Sequence, residues 1–235
     1  MQGDLVELVR AELLQNGTEK WKQAQQRFHK ESIKTHGLSL SKVREIARRF
    51  TPAWKPLSHT QRIEVCDALW ASGFSEEAVV ATAFYAKLRK GFGAADFLLF
   101  EKWLKQYVTN WANCDDVCMN LLFPCLANDA GLIPKLAAWR TSNNRWLRRA
   151  SVVGLVGEAK AGLHLSSILE ASDAVADDTE ELVQKGAGWL LKVAYAKHPA
   201  SITGFLFQRK ARTSRLVLRY AAEKMSAQDR KKVLD

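Results

Sequence analysis

Turn signals recur along this chain at short intervals, and that punctuation limits its fold more than any other feature. Breaks fall at Asn16-Gly17, His36-Gly37, Thr51-Pro52, Ser72-Gly73, Gly91-Phe92-Gly93, Asn128-Asp129, Thr141-Ser142-Asn143-Asn144 and His198-Pro199. The stretches between them run roughly 10–18 residues, with apolar side chains three or four apart, the period of a helix that buries one face. No Asn-Gly sits between alternating apolar runs, as a β-hairpin requires. The pattern predicts an all-α protein of about twelve short helices joined by tight turns.

Antiparallel helix pairs stacked in sequence, as in a curved α-solenoid of HEAT-like helical repeats, fit this pattern. An irregular helical bundle is the alternative. With 235 residues, the chain is read as one repeat domain over 1–235. Hydrophobic residues make up 47%, enough for a packed core and too many for a disordered chain. Thirty-five Lys+Arg face 25 Asp+Glu, a net charge of +10, which favours a polyanionic partner. Basic residues gather in three groups: Lys34 to Arg49, Arg140 to Arg149, and Arg209 to Arg219. Each is either a solvated face or one part of a shared groove. No apolar run approaches the roughly 18–20 residues of a membrane span, and acids early in the N-terminus are unlike a signal peptide. The expected location is cytoplasmic. Cys66, Cys114, Cys118 and Cys125 lack zinc-site spacing and are expected to be buried thiols; no metal and no cofactor is expected.

Three segments hold the candidate chemistry. In a helix from about Trp111 to Leu126, a 100° step places Cys114, Val117, Cys118, Leu121 and Cys125 on the core stripe. Asp115 falls at the stripe's margin, one turn after Trp111. Asp116 points nearly opposite and is expected in solvent. A carboxylate beside Trp at a core margin is costly unless partnered or used; the plainer reading is an Asp near a helix start, favoured by the macrodipole. In Arg145–Val153, Trp146, Ala150 and Val153 form the buried stripe, Arg148 projects outward, and Arg149 flanks the core. A guanidinium there grips either a phosphate or an internal carboxylate. In the third segment Trp189 shares a face with Leu182, Gly186 and Val193. Gly186 and Gly188 inside a helix mark a close approach to the backbone, whether by a ligand or by a packed helix.

Together these segments resemble the DNA alkylation repair glycosylases of the AlkD-like, HEAT-repeat type. Asn110-Trp111-Ala112-Asn113-Cys114-Asp115 is similar to that family's Trp-x3-Asp motif. Trp146-Leu147-Arg148-Arg149-Ala150 resembles its Trp-Leu-x-Arg-Ala segment, and Lys185-Gly186-Ala187-Gly188-Trp189-Leu190-Leu191 its Lys-x-x-Gly-Trp segment. Gly37 to Arg44 is similar to a Gly-x3-Pro-x2-Arg stretch, with Ser41 in place of Pro. Ala112 and Lys192 depart from the common residues, Asp and Arg.

The resemblance implies release of positively charged N3- or N7-alkylated purines from double-stranded DNA, as in base excision repair. A monomer associated with the nucleoid is expected. By the same resemblance Asp115 is the catalytic carboxylate, Trp111 and Trp189 line the site, and Arg149 contacts the DNA, with Arg148, Lys185 and Arg44 beside it. A base already carrying positive charge leaves without prior protonation. The work left is to stabilise an oxocarbenium-like sugar, which one carboxylate can do. A shallow groove offers no obvious pocket for an extruded base, and the resemblance implies action nearly in place. Two rival readings are a catalytically silent protein that binds distorted DNA and a protein-binding scaffold.

Overall fold

A computed structural model describes residues 2–235, with side chains described from residue 4 onward. Sixteen α-helices follow one another, with short 3-10 turns between some of them, and no strand occurs among the described residues. The count exceeds the expected twelve because single-turn breaks divide several of the predicted segments. Thr51-Pro52 goes the other way, since it lies inside a helix. Proline costs most in a helix interior, and this one sits two residues before the helix ends at Trp54. The chain packs as two compact units, residues 1–92 with 99–121, and residues 93–98 with 122–235.

The first unit holds α1 (Gln2–Asn16), α2 (Glu19–Gln26), α3 (Leu40–Trp54), α4 (His59–Ala71), α5 (Ser75–Tyr85), the latter part of α6 (Ala94–Gln106) and α7 (Trp111–Val117). Several starts are locally encoded. Ser39 caps α3 at Lys42 N, Ser58 and Gln61 form a capping box on α4, and Asn110 caps α7 at Asn113 N, 2.9 Å away. The core is aromatic. Tyr85 meets Trp103 edge-on at 5.3 Å, and Trp54 stacks on Phe84 at 5.5 Å. The buried indole of Trp103 gives its N–H to Asp67 Oδ1 at 2.7 Å.

Between α2 and α3, residues 27–39 form a strap without regular secondary structure. Such a segment cannot satisfy its own amides, and Glu76 does so for it. This carboxylate, only 2% exposed, accepts from Thr35 Oγ1 at 2.6 Å and from the N–H groups of His36, Gly37 and Leu38 at 3.0, 2.9 and 3.2 Å. Desolvation is the largest single effect and pushes its pKa up, but the hydrogen bonds from Thr35, His36 and Leu38, with that of its own backbone, together outweigh it and hold the carboxyl below its ordinary value. Next to it, Glu77 bonds His36 Nε2 at 3.1 Å and Arg10 Nε at 2.9 Å.

The second unit contains α8 (Phe123–Asn128), α9 (Ala137–Arg140), α10 (Arg145–Val153), α11 (Val156–Ala161), α12 (Leu165–Ala174), α13 (Glu181–Tyr195), α14 (Pro199–Arg209), α15 (Arg215–Ala221) and α16 (Ala227–Leu234). Here α13 is central and packs on α10, α11, α12, α14 and α15. Its two glycines allow this. A Cβ on Gly186 would lie 3.2 Å from methyls of Val152 and Val153 on α10, and one on Gly188 would lie 2.4 Å from Tyr220 Cβ on α15. What approaches the backbone at both positions is another helix.

All four cysteines are buried and outside disulfides, and burial pushes the Cys125 thiol up to about 12. Among the described residues, no cluster of three or more His, Cys, Asp or Glu is placed to hold a metal. Nor is any helix there long and apolar enough to cross a membrane.

Candidate active site

In the first unit, α7 carries the Trp-x3-Asp segment. Cys114, Val117, Cys118 and Leu121 are fully buried, so the predicted core stripe faces inward. Asn113 anchors the helix start to α5: its amide group meets Ser75 Oγ at 2.6 Å and Ser75 O at 3.3 Å. Immediately beyond, Cys118–Leu122 widens into a π turn, a form that occurs often beside functional sites. Trp111 is half-buried. Its indole N–H reaches Phe28 O at 3.3 Å, and His29 stacks on its face at 5.4 Å. Both partners come from the strap. Burial holds His29 below its ordinary pKa, towards the neutral imidazole. Asp115 is half-buried, as its place at the stripe margin implies.

Asp116 corrects the expectation of a solvated side chain, since only 13% of it is exposed. The helical wheel places it opposite the core stripe of α7, but that face is itself covered, because α5 packs against α7. Asn120 Nδ2 donates to Asp116 Oδ1 at 2.8 Å, and Arg44 Nη2 from α3 lies 3.6 Å from the same oxygen. Desolvation exceeds these favourable contacts and raises the Asp116 pKa to about 6.

Asp116 also stands in the walls of two cavities of this unit. One, of about 220 Å³, lies under the strap and is lined by Phe28, His29, Trp111, Glu76 and Asp116, the polar Gln25, Ser75 and Asn113, and apolar side chains. The other, of about 180 Å³, is lined by Arg44, Arg48, Lys87, Asp116, Asn120 and small residues.

The second unit holds the remaining candidates. Arg149 is 5% exposed and donates through Nη1 to the carbonyl of Leu182. It flanks the core, as expected. Arg148 does not project outward. Its Nε–H and Nη2–H fork onto Asp178 at 2.6 and 3.2 Å, and Nη1 reaches Ser142 O at 2.8 Å. Lys185 is 28% exposed and pairs with Glu181 one turn earlier, at 2.7 Å. Trp189 is half-buried, as are Leu182 and Val193 on the same face of α13. Arg44, Trp111 and Asp115 thus belong to the first unit, and Arg148, Arg149, Lys185 and Trp189 to the second. Sequence reasoning missed Asp116, Glu76 and the strap pair Phe28-His29. The adjacent acids Glu76-Glu77 at the start of a helix were the one signal available for Glu76.

A family model described as DNA alkylation repair enzyme matches residues 9–225. This chain belongs to the DNA alkylation repair enzyme family. The matched span contains all three motif segments and both departures, Ala112 and Lys192. Among solved structures, the fold is similar to a protein described as a predicted DNA alkylation repair enzyme from Enterococcus faecalis. The TM-score is 0.80 at 14% identity, covering 90% of this chain and 98% of that one. No curated protein matches the chain. Family membership gives a role in repairing alkylation damage, and hence a DNA substrate for this basic family member.

Proposed function

We propose that this family member is a DNA glycosylase that releases positively charged N3- and N7-alkylated purines by hydrolysing the N-glycosidic bond. The observation that carries the reading is the pairing on α7: half-buried Asp115 follows half-buried Trp111 by one helical turn. A carboxylate at such a margin is partly desolvated, so its field falls off less steeply than in water. As the base departs with its bonding electrons, the sugar acquires positive charge, and Asp115 stabilises it or orients the attacking water. The leaving base becomes neutral, so the chemistry requires no general acid. The faces of Trp111 and Trp189 suit cationic species, each contact being worth about 0.5–2 kcal/mol. Arg44 in the first unit and Lys185 and Arg149 in the second supply positive charge for the phosphodiester chain, and Arg148 is held by Asp178.

The test is single-turnover release of N7-methylguanine from methylated duplex DNA by wild type and Asp115→Asn. The substitution keeps the shape and removes the charge, and release is expected to drop by about 10²–10³, the scale for one preorganised electrostatic group. Wild-type rates in Asp115→Asn would remove this carboxylate from the reaction. Absence of release by the wild type, together with salt-dependent DNA binding, would select the reading of a silent DNA-binding protein.

A further inference from the structure

The strap holds an aromatic ring out to solvent next to Trp111. Phe28 is 75% exposed, the most exposed large apolar side chain among the described residues. Its backbone is pinned nonetheless. The N–H of Phe28 donates to Gln25 O at 3.0 Å, and its carbonyl accepts the indole N–H of Trp111 at 3.3 Å. Gln26 Nε2 secures the turn that follows, donating to His29 O at 3.2 Å and to Glu31 O at 2.9 Å. A ring on a segment fastened in this way can be covered at little further cost in ordering. Phe28 has exposed apolar company: with Trp21 and Leu40, three of the eight exposed large apolar residues fall within residues 21–40. Singly such residues are ordinary, but gathered on one segment they mark an interaction surface. Charge indicates the partner. Residues 19–34 contain five Lys or Arg against two Glu, and cations alternate with aromatics in Lys20-Trp21-Lys22 and Arg27-Phe28-His29-Lys30. That interleaving suits a chain of phosphates with bases between them.

We propose that Phe28 is a stacking surface for an unpaired nucleobase of the bound DNA, with Arg27 on the adjoining phosphates. Inside an intact duplex both faces of a base are covered by its neighbours. A base that has lost its pairing partner can swing out and offer a face to an aromatic ring, and every base has such a face. Phe28 therefore senses an opened base pair and not the charge or identity of a base, a task separate from that of Trp111 and Asp115. The bond from Trp111 to Phe28 O places this sensor directly beside the motif helix α7. The inference rests on DNA as the substrate and goes beyond the glycosylase reading, since Phe28 favours an opened duplex whether or not a bond is then cleaved.

The experiment titrates the full chain against two undamaged duplexes of one sequence, the first fully paired and the second with a single unpaired adenine. Wild type is expected to bind the second about tenfold more tightly, the scale of one base–aromatic stack. Phe28→Ala should erase this preference and leave affinity for the paired duplex and its salt slope in place, because no charge is removed. Phe28→Trp should keep the preference, and Arg27→Ala should lower both affinities together. Thermal melts confirm that each variant is folded. Equal affinities in wild type overturn the proposal. So does an undiminished preference in folded Phe28→Ala, which would assign the effect to the flexibility of the bulged duplex. Binding to anionic phospholipid vesicles that Phe28→Ala abolishes, with DNA affinities unchanged, would overturn it too and give this face to a membrane. Neither duplex carries a damaged base, so base release from methylated DNA is scored separately. Release without the preference refutes the stacking surface and leaves the glycosylase reading standing. Preference without release supports the surface and refutes the glycosylase reading.

Discussion

Glu76→Gln is the substitution that most directly tests how the fold builds its cavity. The carboxylate holds residues 35–38 through one part-buried hydroxyl and three buried backbone N–H groups. Hydrogen bonds to a charged group contribute about 1.5–3 kcal/mol each, against about 0.5–1.5 for neutral pairs. Glutamine keeps the shape. Its carbonyl can replace Oε1, which receives Thr35, Gly37 and Leu38, but its NH2 then opposes the N–H of His36. Three bonds each weaken by about 1 kcal/mol, and one buried donor loses its acceptor at about 1–3 kcal/mol. Allowing for non-additivity among neighbours, the expected loss is about 3–5 kcal/mol.

Because two units invite departure from two-state unfolding, the readout must be local. Hydrogen exchange at the amides of His36, Gly37 and Leu38 is expected to accelerate in Glu76→Gln beyond amides in α13. The pH dependence follows from the lowered pKa. Stability from Glu76 is fully present above the unfolded carboxylate value and is lost as pH falls through the lower folded one. Glu76→Gln should therefore flatten the acid side of the stability profile. A loss below about 1 kcal/mol with unchanged exchange at these three amides would refute the clamp.

Asp116→Asn should stabilise the protein above pH 6. Burial raises this carboxyl from 3.8 to about 6, so ionising it costs stability as pH rises through that window, by up to about 3 kcal/mol; urea unfolding at pH 5 and 8 checks the sign. Gly188→Ala should cost about 1–3 kcal/mol, because its Cβ would sit 2.4 Å from Tyr220 Cβ. Gly186→Ala should be nearly neutral, as 3.2 Å valine contacts offset the gain in helix propensity; paired thermal melts decide. Arg149→Ala should weaken DNA binding by about 1.5–3 kcal/mol if the guanidinium reaches a phosphate, with a shallower salt slope. A variant that remains folded and binds DNA with wild-type affinity and slope would exclude that contact.

What the sequence reveals about this protein, and what it hides, divides by the range of the interactions involved. Caps, turn residues and apolar periodicity act within one or two helical turns: Ser39, Ser58 and Asn110 each cap the helix that follows them. The buried stripe of Cys114, Val117 and Cys118 follows from the same 100° step. Asp116 obeys that step as well, and yet it is covered. The wheel fixes its angle about α7 and carries no information on what packs against the far side. Arg148 misleads for the same reason, since its partner Asp178 lies 30 residues away. Glu76 reaches about 40 residues back to organise the strap, and the strap reaches 83 residues forward to cover Trp111. The motif residues Trp111 and Asp115 could be read locally because they share one helical turn. The cavity beside them is assembled from α2, the strap, α3, α5 and α7, and each contributes side chains that look ordinary within its own segment. A cavity assembled in this way leaves no motif of its own. Its signature is compositional and appears only in three dimensions, as a cavity with two carboxylates and no Lys or Arg lining it in a chain of 35 basic residues.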